Sequence, residues 1–134
     1  MKDRSFFETR ARLLIIDDHA EFVAALSELI TALYPRACVV HALDGRLGLN
    51  LALSEKPDLI LLDAHMPVMD GYEAARALQA HPKTRTIPLI AMTLTGNDQS
   101  QILADLRPLC DTVLFKPFHA RQLMAAMRQI GVHS

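Results

Sequence analysis

Short apolar runs alternate along the chain with longer stretches in which apolar residues recur every three or four positions. The runs are Leu13–Ile16, Ala37–Val40, Leu59–Leu62, Ile87–Met92 and Thr112–Phe115. Each is four to six residues long and shows little period-2 alternation, the pattern of strands buried on both faces. Between them lie segments of helical spacing. Phe22, Leu26, Leu29, Ile30 and Leu33 form one stripe, which Pro35 stops. Asp44 and Asp70, each followed directly by Gly, are the expected caps of a second and a third helix. Ile102, Leu103 and Leu106 serve a fourth, which Pro108 ends. Ala120, Leu123, Met124, Met127 and Ile130 give a fifth its apolar face, closed by Gly131.

Five strand–helix units in strict alternation predict an α/β fold: a parallel sheet with helices on both sides. For five strands the common doubly wound arrangement is the flavodoxin-like three-layer sandwich, with sheet order 2-1-3-4-5. Ligands in such folds sit beyond the carboxyl ends of the strands, at the switch point beside strands one and three. The residues that follow each strand are therefore where chemistry is expected.

Composition narrows the class. The chain has 134 residues, enough for one domain with a real core and too few for two full-sized ones. Lys and Arg number 14 against 15 Asp and Glu, a balance that argues against direct nucleic-acid binding. Apolar residues at 51% and charged residues at 22% exclude a disordered chain. No apolar run approaches the length of a membrane span, and MKDRSFFETR lacks the apolar stretch of a signal peptide. Cys38 and Cys110 show no metal-ligand spacing and read as reduced core thiols, so a cytoplasmic location is expected. The divisions expected are an N-terminal extension over 1–11, one domain over 12–131 and a tail over 132–134.

The strand ends carry the candidate chemistry. The first strand runs into Asp17 and Asp18, the third into Asp63, the fourth ends at Thr93 and the fifth at Lys116-Pro117. On the expected topology, three carboxylates, a hydroxyl and an ammonium converge on one sheet edge. Clustered carboxylates repel one another unless a cation compensates. Oxygen ligands with open positions suit Mg²⁺, which takes one or two carboxylates plus phosphate oxygens. A lysine and a hydroxyl across the site suit a phosphoryl group, and a carboxylate can itself be the acceptor.

Four pieces, LLIIDDHA (13–20), DLILLDAHMPVMDGYE (58–73), PLIAMTLTG (88–96) and FKPF (115–118), stand in this order and at these spacings. In them the chain resembles the receiver domains of two-component response regulators, over about residues 12 to 131. The resemblance implies that Asp63 is the phosphorylated aspartate and that Mg²⁺ is bound by Asp18 directly and by Asp17 through water. Asp63 and the His65 backbone carbonyl would complete the metal site. Thr93 would be the switch hydroxyl and Lys116 the lysine that contacts the phosphoryl group, with Pro117 in a cis bond. The implied partner is a sensor histidine kinase or a histidine phosphotransfer protein. The implied surface for a second copy or an output domain is that of the fourth and fifth helices, with Arg121 and Arg128. Such a domain catalyses only its own phosphorylation and dephosphorylation, and with four residues after the fifth helix it reads as a stand-alone receiver or a fragment of a larger regulator.

Blander readings stand beside these. A DD pair after an apolar run is commonly a cap or a turn, and the six histidines are scattered without an i, i+4 pair. His19 and His65 flank the acidic cluster, where they can modulate it, but read more simply as solvated loop residues. Three positions depart from the family pattern: Leu94 where a small residue is usual, Val113 where an aromatic is usual, and Pro108-Leu109-Cys110 where Gly-Ala is common. Leu94 and Val113 favour an alternative, a pseudo-receiver acting as a constitutive protein-interaction module. An aspartyl-phosphate phosphatase would need an Asp where His65 stands, and a flavin phosphate would meet like charge at Asp17 and Asp18.

Overall fold

Strands and helices alternate without interruption across residues 10–130, the part of the chain that the computed structural model describes. The elements are β1 (Arg12–Ile16), α1 (Ala20–Leu33), β2 (Cys38–Ala42), α2 (Gly45–Glu55), β3 (Leu59–Asp63) and α3 (Gly71–Ala80), then β4 (Leu89–Leu94), α4 (Gln101–Leu106), β5 (Thr112–Lys116) and α5 (Ala120–Ile130). All pairings are parallel, in the order β2-β1-β3-β4-β5 that the sequence predicts.

Period-2 geometry divides each strand between two cores. Leu13, Ile15, Leu59, Leu61, Ile90 and Met92 point to one face, where Val23, Leu26 and Ile30 of α1 and Leu123 and Met127 of α5 cover them. Leu14, Ile16, Ile60, Leu62 and Ala91 point to the other, under Ala52 of α2, Ala74, Ala75 and Leu78 of α3 and Leu106 of α4. Covered on both sides, β1 and β3 need no polar face, and each fully buried Leu or Ile stabilises the fold by about 1.5–3 kcal/mol. The sheet's edge strands β2 and β5 are only half covered.

Local chemistry sets most ends. Asp44 caps α2 by accepting from the Leu47 N–H at 2.8 Å. Asp70 and Glu73 form a reciprocal capping box at the start of α3, at 2.9 and 3.1 Å. Several expectations need correction. The second strand begins at Cys38, because the Ala37 N–H closes a turn on the Tyr34 carbonyl, and it reaches Ala42 opposite Ile16. The fourth strand runs from Leu89, since the Ile87 N–H bonds Thr84 and Pro88 has no N–H to pair. Pro108 does not end the fourth helix abruptly; it lies inside a 3₁₀ turn, Arg107–Leu109, that extends the helix. Cys38 is exposed and Cys110 half-buried, so neither is a core thiol. Both sit on the half-covered margins of the sheet or its loops. Gly131, and nearly all of the extension and tail, lie outside the described residues.

Candidate functional site

Strand parity decides which side chains meet beyond the carboxyl ends. Asp17 follows Ile15, Asp63 follows Leu61 and Lys116 follows Leu114, each two residues on, so all three stand on the α1–α5 side. Thr93 follows Ala91 and stands on the α2–α4 side. The strand ladder extends to these ends: the Asp17 N–H donates to the Ala42 carbonyl at 3.1 Å, and the Ala64 N–H to the Met92 carbonyl at 2.8 Å. The rim is thus held by rigid backbone rather than by free loops.

Asp17, Asp63, Thr93 and Lys116 are buried, and the Asp18 side chain is 26% exposed. Lys116 Nζ donates to Asp17 Oδ2 at 2.6 Å and lies 3.7 Å from Asp63 Oδ1. The ammonium also sits 4.2 Å above the Phe22 ring, which meets Phe118 edge to face at 5.9 Å. One ammonium is therefore shared by Asp17 and Asp63, with Asp18 beside them. The imbalance appears at Asp63, whose pKa burial pushes up to about 6, with Asp17 adding to the rise; Lys116 and the His65 N–H oppose it.

The turn after β3 brings in His65. Its N–H donates to Asp63 Oδ1 at 3.4 Å, and its Nδ1 lies 3.4 Å from Thr93 Oγ1. That contact ties Thr93 to the loop carrying the acidic residue. Gly71 lets α3 begin directly against the end of β3: a Cβ there would fall 2.6 Å from the Asp63 carbonyl oxygen and 2.7 Å from Ala64 Cα. The Lys116–Pro117 bond is cis.

A divalent cation fits the donor set. Asp18 Oδ1 and Asp63 Oδ2 are buried without a hydrogen-bond partner, and ligand atoms of Asp17, Asp18, His19 and Asp63 lie within 4.8 Å of one another. Buried carboxylate oxygens left bare are costly, and a hard cation satisfies them. Sequence reasoning placed His19 in solvent. Its side chain is indeed 63% exposed, yet its ring is turned inward, with Nδ1 3.1 Å from Asp17 Oδ1, 3.2 Å from Asp18 Oδ1 and 4.0 Å from Asp63 Oδ2. Its place directly after the DD pair was the available signal. The Phe22 ring under Lys116 and the Phe118 ring against it are not legible in the sequence, where Phe22 belongs to the first helical stripe and Phe118 to the FKPF piece.

Leu94, 57% exposed, stands at the rim of a cleft of about 610 Å³ that includes His19, Phe22, Asp63, His65 and Lys116. Val113 is partly buried and packs against the α2–α4 core. Neither departure disturbs the buried Asp–Lys contacts.

Known proteins share this architecture. The chain is similar to the chemotaxis protein CheY4 of Vibrio cholerae, with TM-score 0.81 over 91% of this chain and 99% of that one, at 24% identity, a likeness of fold. It is similar to the receiver domain of sensor histidine kinase PA1611 of Pseudomonas aeruginosa, with TM-score 0.81 at 25% identity over 92% of this chain and 98% of that one; that structure holds a magnesium ion in its active site cleft. Response regulator PleD of Caulobacter vibrioides is 36% identical over 120 residues, 90% of this chain and 26% of PleD. The chain spans between about a quarter and a half of the length of the curated relatives it matches. The model of the response regulator receiver domain matches residues 13–128, nearly the whole alternating sheet and its acidic rim. By that match and by its fold, the chain belongs to the receiver domain family of two-component signalling.

Proposed function

We propose that this receiver takes a phosphoryl group onto Asp63 from the phosphohistidine of a histidine kinase or a histidine phosphotransfer protein. The observation that carries the reading is the Asp63 carboxylate itself: buried at the end of the central strand, with Oδ2 bare and Lys116 3.7 Å from its other oxygen. In the transfer one oxygen of the Asp63 carboxylate attacks phosphorus, the donor's P–N bond breaks, and the bond's electron pair leaves on the imidazole nitrogen, which takes a proton from water. A carboxylate whose pKa burial raises is the more basic nucleophile.

Mg²⁺ belongs to the same proposal, held by Asp17, Asp18, Asp63 and the His65 backbone carbonyl. When bound it supplies positive charge against the phosphoryl oxygens. Lys116 is assigned to a phosphoryl oxygen, exchanging part of its contact with Asp17 for one with the new anion. The Thr93 hydroxyl is assigned to another, leaving the His65 ring as it moves. Such a shift favours a second population of the domain and so changes what binds it. The exposed Arg121 and Arg128 of α5, with α4, are the surface proposed for a second copy or an output domain. A cytoplasmic location is part of this reading. Among the described residues, no helix is long and apolar enough to cross a membrane. The Asp–Thr–Lys set is complete at buried positions, which counts against a constitutive interaction module.

The test is labelling with a small acyl phosphate in Mg²⁺. The wild-type chain should gain one acid-labile phosphate, mapped to residue 63, and Asp63→Asn should gain none. Phosphate on the Asn variant would refute the assignment.

A further inference from the structure

Among the described residues whose ligand atoms meet in the acidic pocket, His19 is left without a task by the phosphoryl-transfer reading. As the residue preceding α1 it makes no side-chain capping hydrogen bond. Its N–H already donates to Asp17 Oδ1 at 2.9 Å, which fixes the backbone against the carboxylates. The ring then turns toward the same carboxylates although open solvent lies beside it. Nδ1 stands 3.1, 3.2 and 4.0 Å from oxygens of Asp17, Asp18 and Asp63. Around an ion with ligands at about 2.1 Å, adjacent ligand atoms stand about 3 Å apart and opposite ones about 4.2 Å. The spacings of this nitrogen from the three oxygens match that set. Asp63 Oδ2, on a side chain only 5% exposed, points into the same space with no hydrogen-bond partner.

We propose that His19 Nδ1 is an additional ligand of the pocket, so that the site takes a borderline transition cation as well as a hard one. Carboxylate and carbonyl oxygens suit Mg²⁺, whereas imidazole suits Zn²⁺, Ni²⁺ and their neighbours in the first row. One nitrogen among three oxygens raises affinity for the second group without blocking the first, because the exposed ring can swing aside and leave its position to water. Occupancy of the receiver then responds to transition-metal supply. This rests on the pocket's being a divalent-cation site, and the experiment separates the two claims.

The full chain is titrated calorimetrically with Co²⁺ and with Mg²⁺, as wild type, His19→Phe and Asp18→Asn. Phe keeps a flat ring and removes the nitrogen. Loss of even an outer partner of a metal site lowers affinity about tenfold or more. His19→Phe is therefore expected to weaken Co²⁺ at least about tenfold while leaving Mg²⁺ nearly unchanged. Asp18→Asn should weaken both. Proton NMR of the Co²⁺-loaded wild-type chain should show a far-shifted, exchangeable imidazole resonance that His19→Phe lacks. A ring that merely hydrogen-bonds Asp17 lacks the large through-bond shift that direct ligation gives. Unchanged Co²⁺ affinity in His19→Phe, or a resonance that survives it, overturns the inference and leaves the Mg²⁺ reading standing. If the wild-type chain binds neither cation, or binds both independently of Asp18, the cation site and the inference fall together.

Discussion

Leu61 and Asp63 lie two residues apart on β3, on the same face of the sheet, and both are almost wholly withdrawn from water. Leu61 is surrounded by the α1–α5 core and its burial favours the folded state. Asp63 has Asp17 and Asp18 as neighbours, one ammonium shared with Asp17, and one oxygen with no partner. Its burial opposes folding. One strand thus contains both a stabilising segment and a segment that is costly to fold, separated by about 7 Å of backbone. The division teaches where the stability of this domain is made and where it is used.

Breaking the first half has the largest expected effect. Leu61→Ala removes a fully buried side chain from the middle of a two-sided core that cannot collapse inward. A loss of about 3 kcal/mol is expected, read from the denaturant midpoint at unchanged slope. A loss below about 1 kcal/mol would mean the centre is no better packed than the rim.

Asp63→Asn should change stability in the opposite direction. The carboxyl's folded pKa, about 6, lies above its ordinary 3.8, so the folded state prefers the protonated form. A raised acid costs stability in full above pH 6. The cost disappears as pH falls through 6 toward 3.8, below which both states are protonated. Without divalent cations, Asp63→Asn should therefore be more stable than wild type at pH 7, by a margin of order 2 kcal/mol. That margin should shrink steadily toward pH 4. Unfolding curves for both proteins across this range are the check. A margin independent of pH would place the gain in packing instead of charge.

The same division explains what could be read from the residues beforehand. Where apolar burial decides, the chain is explicit: the five runs, the helical stripes and the Asp44 and Asp70 caps led to the correct sheet order. Strand ends were less legible, because they depend on single hydrogen bonds such as Ala37 to Tyr34 and Ile87 to Thr84. At the rim, the DD pair, Asp63 and Lys116 were visible as types at strand ends. Their pairing was not: nothing in the residue order says that Lys116 reaches Asp17 at 2.6 Å and Asp63 only at 3.7 Å. His19 is exposed, as its place in the turn suggests, but the direction of its ring is not legible for a related reason. A histidine after an acidic turn has the composition of a solvated loop, and only the backbone path at the start of α1 turns its ring inward.

The smallest expected effect lies in the loop that joins Asp63 to α3. Val68 sits at φ 68°, in the left-handed region that a β-branched residue rarely occupies. The Met69 N–H closes on the Pro67 carbonyl at 2.7 Å, so Val68 is the centre of a three-residue turn of the strained hand. Its side chain is completely exposed and contributes no burial against that strain. A residue held this way costs about 1–3 kcal/mol. Val68→Gly removes the steric cost and adds flexibility to the unfolded chain, which offsets about 0.5–1 kcal/mol of the gain. A net stabilisation of about 1 kcal/mol is expected, seen as a rise of about 3–5 °C in Tm. In the centre of the sheet, trimming a branched side chain removes packing; in this loop it removes only strain. A melting temperature that falls on Val68→Gly would show that the turn is relaxed, and that the cost of the rim is confined to its charges.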